Sequence, residues 1–164
     1  SAAVSLEGAG LDDAVYTEDQ VIAWLREAMP ETMTVSHNTL RDDLKNMAAY
    51  FTDQGWRAYK KALKRSAMLD SVYSYKQTVS ASVIGDIEMI NQGEVDDVYK
   101  WVLSVPFYVR YESSDWDFYE SYLTVQVTLS RFAPDKKGAA MHPKAAQKGI
   151  GIEKWAGKPR KKAR

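Results

Sequence analysis

The sequence predicts an α+β domain in which N-terminal helices pack on a strongly curved antiparallel sheet. Three observations carry that expectation. Apolar residues recur at helical spacing only from residue 17 to residue 74, and from residue 75 the period switches to two. One alternating run, Tyr99 to Tyr111, keeps seven successive same-face positions apolar or aromatic. A strand of that length, roughly 40 Å, does not stay flat, because strands twist. A chain of 164 residues is enough for one such domain with a sizeable core.

Residues 1–16 are small, polar and acidic and read as a flexible lead-in. Thr17 and Gln20 form a capping-box pair ahead of a helical stripe of Val21, Trp24, Leu25 and Ala28, which Pro30 closes. Glu18 and Asp19 sit at the positive end of that helix. A second helix is predicted from about Asn38 to Phe51 on the stripe Leu40, Leu44, Met47, Ala48 and Phe51. Thr52 then caps a third helix, with Trp56, Tyr59, Ala62 and Leu63 on one side and Arg57, Lys60, Lys61, Lys64 and Arg65 crowding the rest. A short fourth turn, Met68–Ser74, carries Leu69 and Val72 toward the core.

The strands follow. In Tyr75–Ile84, the set Tyr75, Val79, Ala81 and Val83 opposes Lys76, Thr78, Ser80 and Ser82. Gly85 suggests a bend before Ile87, Met89 and Asn91, and Asn91-Gln92-Gly93-Glu94 reads as a turn. Next come Tyr99, Trp101, Leu103, Val105, Phe107, Val109 and Tyr111, backed by Lys100, Ser104, Tyr108 and Arg110. Pro106 makes this strand a local edge or a bulge, since it has no N–H to donate. The turn Glu112–Asp115 leads to a partner strand with Tyr119, Leu123, Val125, Val127 and Leu129 inside and Glu120, Tyr122, Thr124, Gln126 and Thr128 outside. The amphipathic helices are the available cover for the apolar face of this hairpin. Residues 134–148 read as a loop and Gly149–Trp155 as a short last strand. The single domain is thus 17–155, and 156–164 a disordered basic tail.

The formal net charge of zero hides an asymmetry. From Arg131 to Arg164 there are 11 Lys or Arg against two acidic residues, and residues 1–130 carry 11 against 20. An acidic body with a basic end suits head-to-tail assembly, an anionic surface or a solvated terminus. The chain has no cysteine, which excludes disulfides, thiolate metal sites and a cysteine nucleophile. The longest uncharged stretches, Gln77–Gly85 and Trp101–Val109, have nine residues each, far short of the roughly 20 that span a bilayer. The N-terminus lacks the basic-then-apolar pattern of a signal peptide.

Chemistry-bearing constellations are sparse. His37 and His142 have no ligand-spaced companion, so no metal is expected. Gly149-Ile150-Gly151 lacks the flanking strand and helix of a dinucleotide fingerprint, so no cofactor is expected either. The serines of Thr78–Ser82 have no histidine beside them. An isomerase-like or small-molecule enzyme would need an enclosed polar pocket holding a carboxylate or a tyrosine such as Tyr99 or Tyr111. A nucleic-acid module would act through the basic tail, although the acidic body argues against it. The densest polar cluster is the third-helix set Arg57, Lys60, Lys61, Lys64 and Arg65. With the exposed strand residues Tyr108, Arg110 and Tyr122, it is the candidate protein-interaction surface.

The stretch Tyr50-Phe51-Thr52-x-x-Gly55-Trp56-x-x-Tyr59-x-x-Ala62-Leu63-x-x-Ser66-x-x-Leu69-x-x-Val72 resembles the C-terminal domain of the DotI/IcmL/TraM family. The similarity continues through Val79-Ser80-Ala81, Val98-Tyr99-x-Trp101, Val105-Pro106 and Tyr111, and closes with His142-Pro143 and Gly149-Ile150-Gly151-Ile152. In the family the closing segment usually reads Asn-Pro and then almost at once Gly-Ile-Gly-Ile. Here His142 stands in place of the Asn, and residues 144–148 intervene. The look is closest to the conjugative-plasmid TraM branch. The resemblance implies a nuclear-transport-factor-like or cystatin-like fold, as in type IV secretion assembly factors. It also implies a non-enzymatic role in the inner-membrane part of a type IVB secretion or conjugation machine. This chain would be a periplasmic scaffold whose single membrane anchor lies upstream of residue 1. Its partners would be its own copies and other subunits, with no small-molecule substrate and no nucleic acid. Tyr50, Phe51, Gly55, Trp56, Tyr59, Leu63, Tyr99 and Trp101 are then fold-defining.

Overall fold

The computed structural model describes residues 6–115 and 117–160. Helix α1 (Glu18–Glu31) starts on the expected capping box, with Gln20 N–H donating to Thr17 Oγ1 (3.2 Å) and Thr17 N–H to Gln20 Oε1 (2.8 Å). It runs one residue past Pro30, and the carbonyls left open at its end are taken by the Thr32 and Thr34 hydroxyls. After the two-residue strand β1 (Val35–Ser36), α2 covers Leu40–Ala48. It stops short of the expected Phe51 because residues 50–52 turn onto the sheet. Ile152 N–H donates to the Tyr50 carbonyl (2.9 Å), Thr52 N–H to that of Ile152 (3.0 Å), and Phe51 bridges Ile152 in parallel. Helices α3 (Asp53–Arg65) and α4 (Met68–Ser74) follow.

Strands β2 (Thr78–Val83), β3 (Glu88–Val95), β4 (Val98–Glu112), β5 (Phe118–Arg131) and β6 (Ile150–Pro159) complete one antiparallel sheet in the order β1-β2-β4-β5-β6, with β3 also on β4. β4 pairs with β2 along residues 107–112 and with β3 along 98–104. Pro106 falls between the two, where Ile84 N–H reaches its carbonyl (3.0 Å). The ring therefore occupies a point where the strand is locally an edge, and no ladder donor is lost.

The predicted inner face of the long hairpin is the core. Trp101, Leu103, Val105, Phe107, Val109, Val125, Val127 and Leu129 are all fully buried. Leu25 and Met29 of α1, Met47 of α2, Leu63 of α3 and Val72 of α4 join them in one cluster with Phe51 and Ile152. Tyr99 and Tyr111, at the two ends of the run, are half-buried, and Tyr119 and Tyr75 are exposed. Tyr75 closes α4 instead of opening a strand.

Four other expectations are corrected. Residues 91–94 are not a turn but lie inside β3. The reversal is Asp96-Asp97, both with positive φ (52° and 67°), between the paired Val95 and Val98. Aspartate tolerates that region, so a two-residue hairpin forms without glycine. Residues 134–148 are not a loop: α5 (Lys136–Met141) is capped by Asp135, and α6 (Pro143–Lys148) starts on Pro143 and ends at Gly149 with φ 67°. The sheet does not end at residue 155, since β6 stays paired to β5 through Pro159; residues 161–164 of the expected tail lie outside the described residues. Residues 6–16 are not loose either. The buried Arg131 donates to the Gly10 and Asp13 carbonyls (3.1 and 2.5 Å) and Tyr99 N–H to that of Leu11 (2.7 Å), while residues 1–5 lie outside the described residues.

Candidate protein-interaction site

Helix α3 is set by its first turn. Thr52 Oγ1 accepts from Gly55 N–H (3.0 Å), and Gly55 brings the helix against the β6 backbone, where a Cβ would overlap the Ile152 carbonyl oxygen. That approach fixes which side faces inward. Trp56, Tyr59 and Leu63 are buried, with Tyr59 stacked on Phe51 at 4.8 Å and Phe51 beside Trp56 at 5.7 Å. The opposite side carries the five cations, four exposed and Lys60 half-buried. None of the five is in an ion pair among the described residues, where Lys100 pairs with Glu153 and Arg110 with Glu112 and Glu120. A row of cations outside those ion pairs is suited to an acidic partner.

The strand candidates divide. Arg110 is engaged within its own sheet, donating to Glu112 (2.6 Å) and lying 4.0 Å over the Phe118 ring. Tyr108 and Tyr122 face each other across β4 and β5 at 5.2 Å. They form a cross-strand aromatic pair on the outer face, well away from α3 in sequence and in the sheet.

The helices do not fill the concave side completely. A groove of about 700 Å³ remains between α3–α4 and the sheet, lined by residues that include Leu63, Met68, Tyr111, Tyr119, Leu123 and Trp155. Its floor includes the Tyr59 hydroxyl, which donates to the Thr32 carbonyl and lies 3.3 Å from Met33 Sδ. Burial pushes the Tyr59 phenol well above its ordinary range, and Tyr111 shifts up for the same reason. Among the described residues no carboxylate or histidine lines the groove. Tyr59 and Tyr111 are thereby kept protonated near neutral pH, where they serve as hydrogen-bond donors and not as bases.

Tyr59 therefore couples stability to alkaline pH. The unfolded phenol ionises near pH ~10, whereas the buried one resists, so the unfolded state binds fewer protons above that pH and stability falls as pH rises. Tyr59→Phe is expected to cost about 1–2 kcal/mol near neutrality, through the unpaired Thr32 carbonyl, and to flatten the alkaline fall. Urea midpoints at about pH 8 and about pH 11 check both, and an unchanged slope would refute the assignment.

His142 is buried, and its ring joins two helix ends: Nδ1 lies 2.6 Å from the Ala48 carbonyl oxygen and Nε2 3.0 Å from Asp53 Oδ1. The histidine thus ties α6 to the α2–α3 corner, a structural task. Among the described residues no cluster of His, Cys, Asp or Glu is grouped to hold a metal ion.

A family model for the inner-membrane complex component of the type IVb secretion system, DotI/IcmL, matches residues 6–158. The chain belongs to this family. Its fold is similar to that of the periplasmic domain of DotI, at 26% identity and TM-score 0.77 over 88% of this chain and 97% of that one. It is also similar to an IcmL-like type IV secretion protein of Legionella pneumophila (22%, TM-score 0.75, 90% and 96% covered) and to a periplasmic fragment of TraM (18%, TM-score 0.73, 88% and 99% covered). These figures give the TraM fragment no lead over the other two. None of the curated proteins matches the chain. As a DotI/IcmL-family domain it is a structural part of a secretion complex and not an enzyme. Among the described residues no helix is long and apolar enough to cross a membrane.

Sequence reasoning missed Lys158, which lies in β6, and Arg160, which follows it with its N–H on the Tyr122 carbonyl (2.8 Å). The alternation of Lys154, Ala156 and Lys158 with Trp155, Gly157 and Pro159 was the available signal.

Proposed function

We propose that this domain is a periplasmic scaffold of a type IVB secretion or conjugation complex, joined to the inner membrane by a single upstream span. In this reading it docks acidic surfaces of neighbouring subunits through the outer face of α3. The family match over residues 6–158 supports the scaffold role. The observation that carries the docking face is the cluster Arg57, Lys60, Lys61, Lys64 and Arg65, opposite the residues that anchor α3 and outside the ion pairs among the described residues. Because the buried side of α3 fixes the helix, contact costs ordering entropy in the cationic side chains and not in the backbone that carries them.

The double reversal Lys61→Glu, Lys64→Glu is expected to leave the melting temperature within about 2 °C of wild type, because both side chains are exposed. Recovery of the other complex subunits with the tagged full-length protein is expected to fall about tenfold. Undiminished recovery, with the variant folded, overturns the docking face.

A further inference from the structure

Two edges of the sheet, β6 and β3, carry opposite charge. On β6, the Arg160 N–H donates to the Tyr122 carbonyl (2.8 Å), which makes Tyr122–Arg160 a hydrogen-bonded pair of the antiparallel ladder. The alternation then places Thr124–Lys158, Gln126–Ala156 and Thr128–Lys154 in the same class. The peptide groups of Trp155 and Gly157 therefore point away from β5. Pro159 falls at the next outward position, where its missing N–H costs no ladder bond. Among the described residues nothing pairs with this edge beyond Ile152.

β3 is the other edge, since β4 is its one partner strand among the described residues. Val95 and Val98 close the two-residue hairpin as a hydrogen-bonded pair, so Glu94 and Gln92 turn their peptide groups outward. The Gln92 N–H is met by its neighbour's Asn91 Oδ1 (2.9 Å), and that of Glu94 has no acceptor among the described residues.

The charges are complementary. Between Asp86 and Asp97 the chain carries Asp86, Glu88, Glu94, Asp96 and Asp97 and no Lys or Arg. From Lys154 onward it carries Lys154, Lys158, Arg160, Lys161, Lys162 and Arg164 and no acid. The peptide groups of Trp155 and Gly157 on one edge and of Glu94 on the other stay open to another strand, and like-with-like pairing of either edge would set equal charges side by side.

We propose that the β6 edge of one copy pairs with the β3 edge of another, so that sheets add head to tail. The interface is heterologous, one edge giving and the other receiving, and such contacts build rings or open rows. The edge pairing deepens the scaffold reading and rests on it, but it uses different residues from the α3 face.

The test uses the whole 164-residue chain in analytical ultracentrifugation at rising concentration. Wild type is expected to self-associate, more weakly as salt rises. Lys158→Glu with Arg160→Glu, or Glu88→Lys with Glu94→Lys, is expected to weaken association about tenfold or more. An equimolar mixture of the two variants should regain it to within about threefold, because each then supplies the edge the other lacks. In hydrogen exchange, the Trp155, Gly157 and Glu94 amides should gain protection on association, while the inward amides of Ala156 and Lys158 are protected throughout. A wild-type chain monomeric to about 1 mM overturns the proposal, as does association without protection at those amides or variants that assemble as wild type does. Subunit recovery lost with the α3 reversal would still stand in each of those cases, so the two readings fail separately.

Discussion

Gly55→Ala is expected to destabilise the domain by about 3 kcal/mol or more, lowering the melting temperature by roughly 6–12 °C. The added methyl would overlap the Ile152 carbonyl oxygen and come within 2.9 Å of Glu153 Cα and 3.0 Å of the Ile152 carbonyl carbon. All three are backbone atoms of β6, which is held by its ladder to β5. Relief would require α3 to back away. Thr52 N–H bonded to Ile152 and the buried Trp56, Tyr59 and Leu63 oppose that movement. Helix propensity works the other way, favouring Ala over Gly by about 1 kcal/mol, so a loss on this scale is attributable to the contact. Ala58→Gly, exposed on the same helix, is the control and should cost only about 1 kcal/mol. Thermal denaturation followed by circular dichroism decides it: a variant as stable as wild type would mean that the helix is not pinned at this point.

The same corner shows which parts of the fold were legible in the sequence. The Thr17 and Thr52 caps and the alternating face from Trp101 to Val109 rest on neighbours a few residues apart, and local spacing states them directly. The turn of residues 50–52 onto β6 depends on Ile152, a hundred residues away, and the stripe Met47-Ala48-Phe51 fits a longer helix equally well. Asp96-Asp97 failed to read as a turn because the glycine of Asn91-Gln92-Gly93 offered a stronger local signal inside what is in fact a strand. The basic composition of 156–164, with its Gly and Pro, made residues 156–159 look disordered, whereas the β5 ladder supplies the order. For the interaction surface, the α3 cluster was visible as a charge run. That Arg110 is engaged by Glu112 and Phe118 was not, because tertiary pairing decides which cations stay available.

Phe51→Ala is expected to cost about 3–5 kcal/mol, the range for deleting a buried aromatic ring from a close-packed core. The ring is fully buried and is stacked on Tyr59 and tilted against Trp56, so its loss removes two aromatic contacts along with the transfer energy. Phe51→Leu keeps most of the volume and should cost about 1.5 kcal/mol or less if packing, and not ring geometry, dominates. A larger loss for leucine would assign the difference to the Tyr59 stack. Coupling to Gly55 gives the sharper test. Both residues act on one joint, the seat of the 50–56 segment on Ile152. Once the joint is opened by one substitution, the other has less left to disrupt. The double variant Phe51→Ala, Gly55→Ala should therefore fall short of the sum of the single losses by about 1 kcal/mol or more. Agreement with the sum to within about 0.5 kcal/mol would show the two contacts to be independent. The corner would then be two separate packing events and not one device that seats α3 and, with it, the basic face it presents.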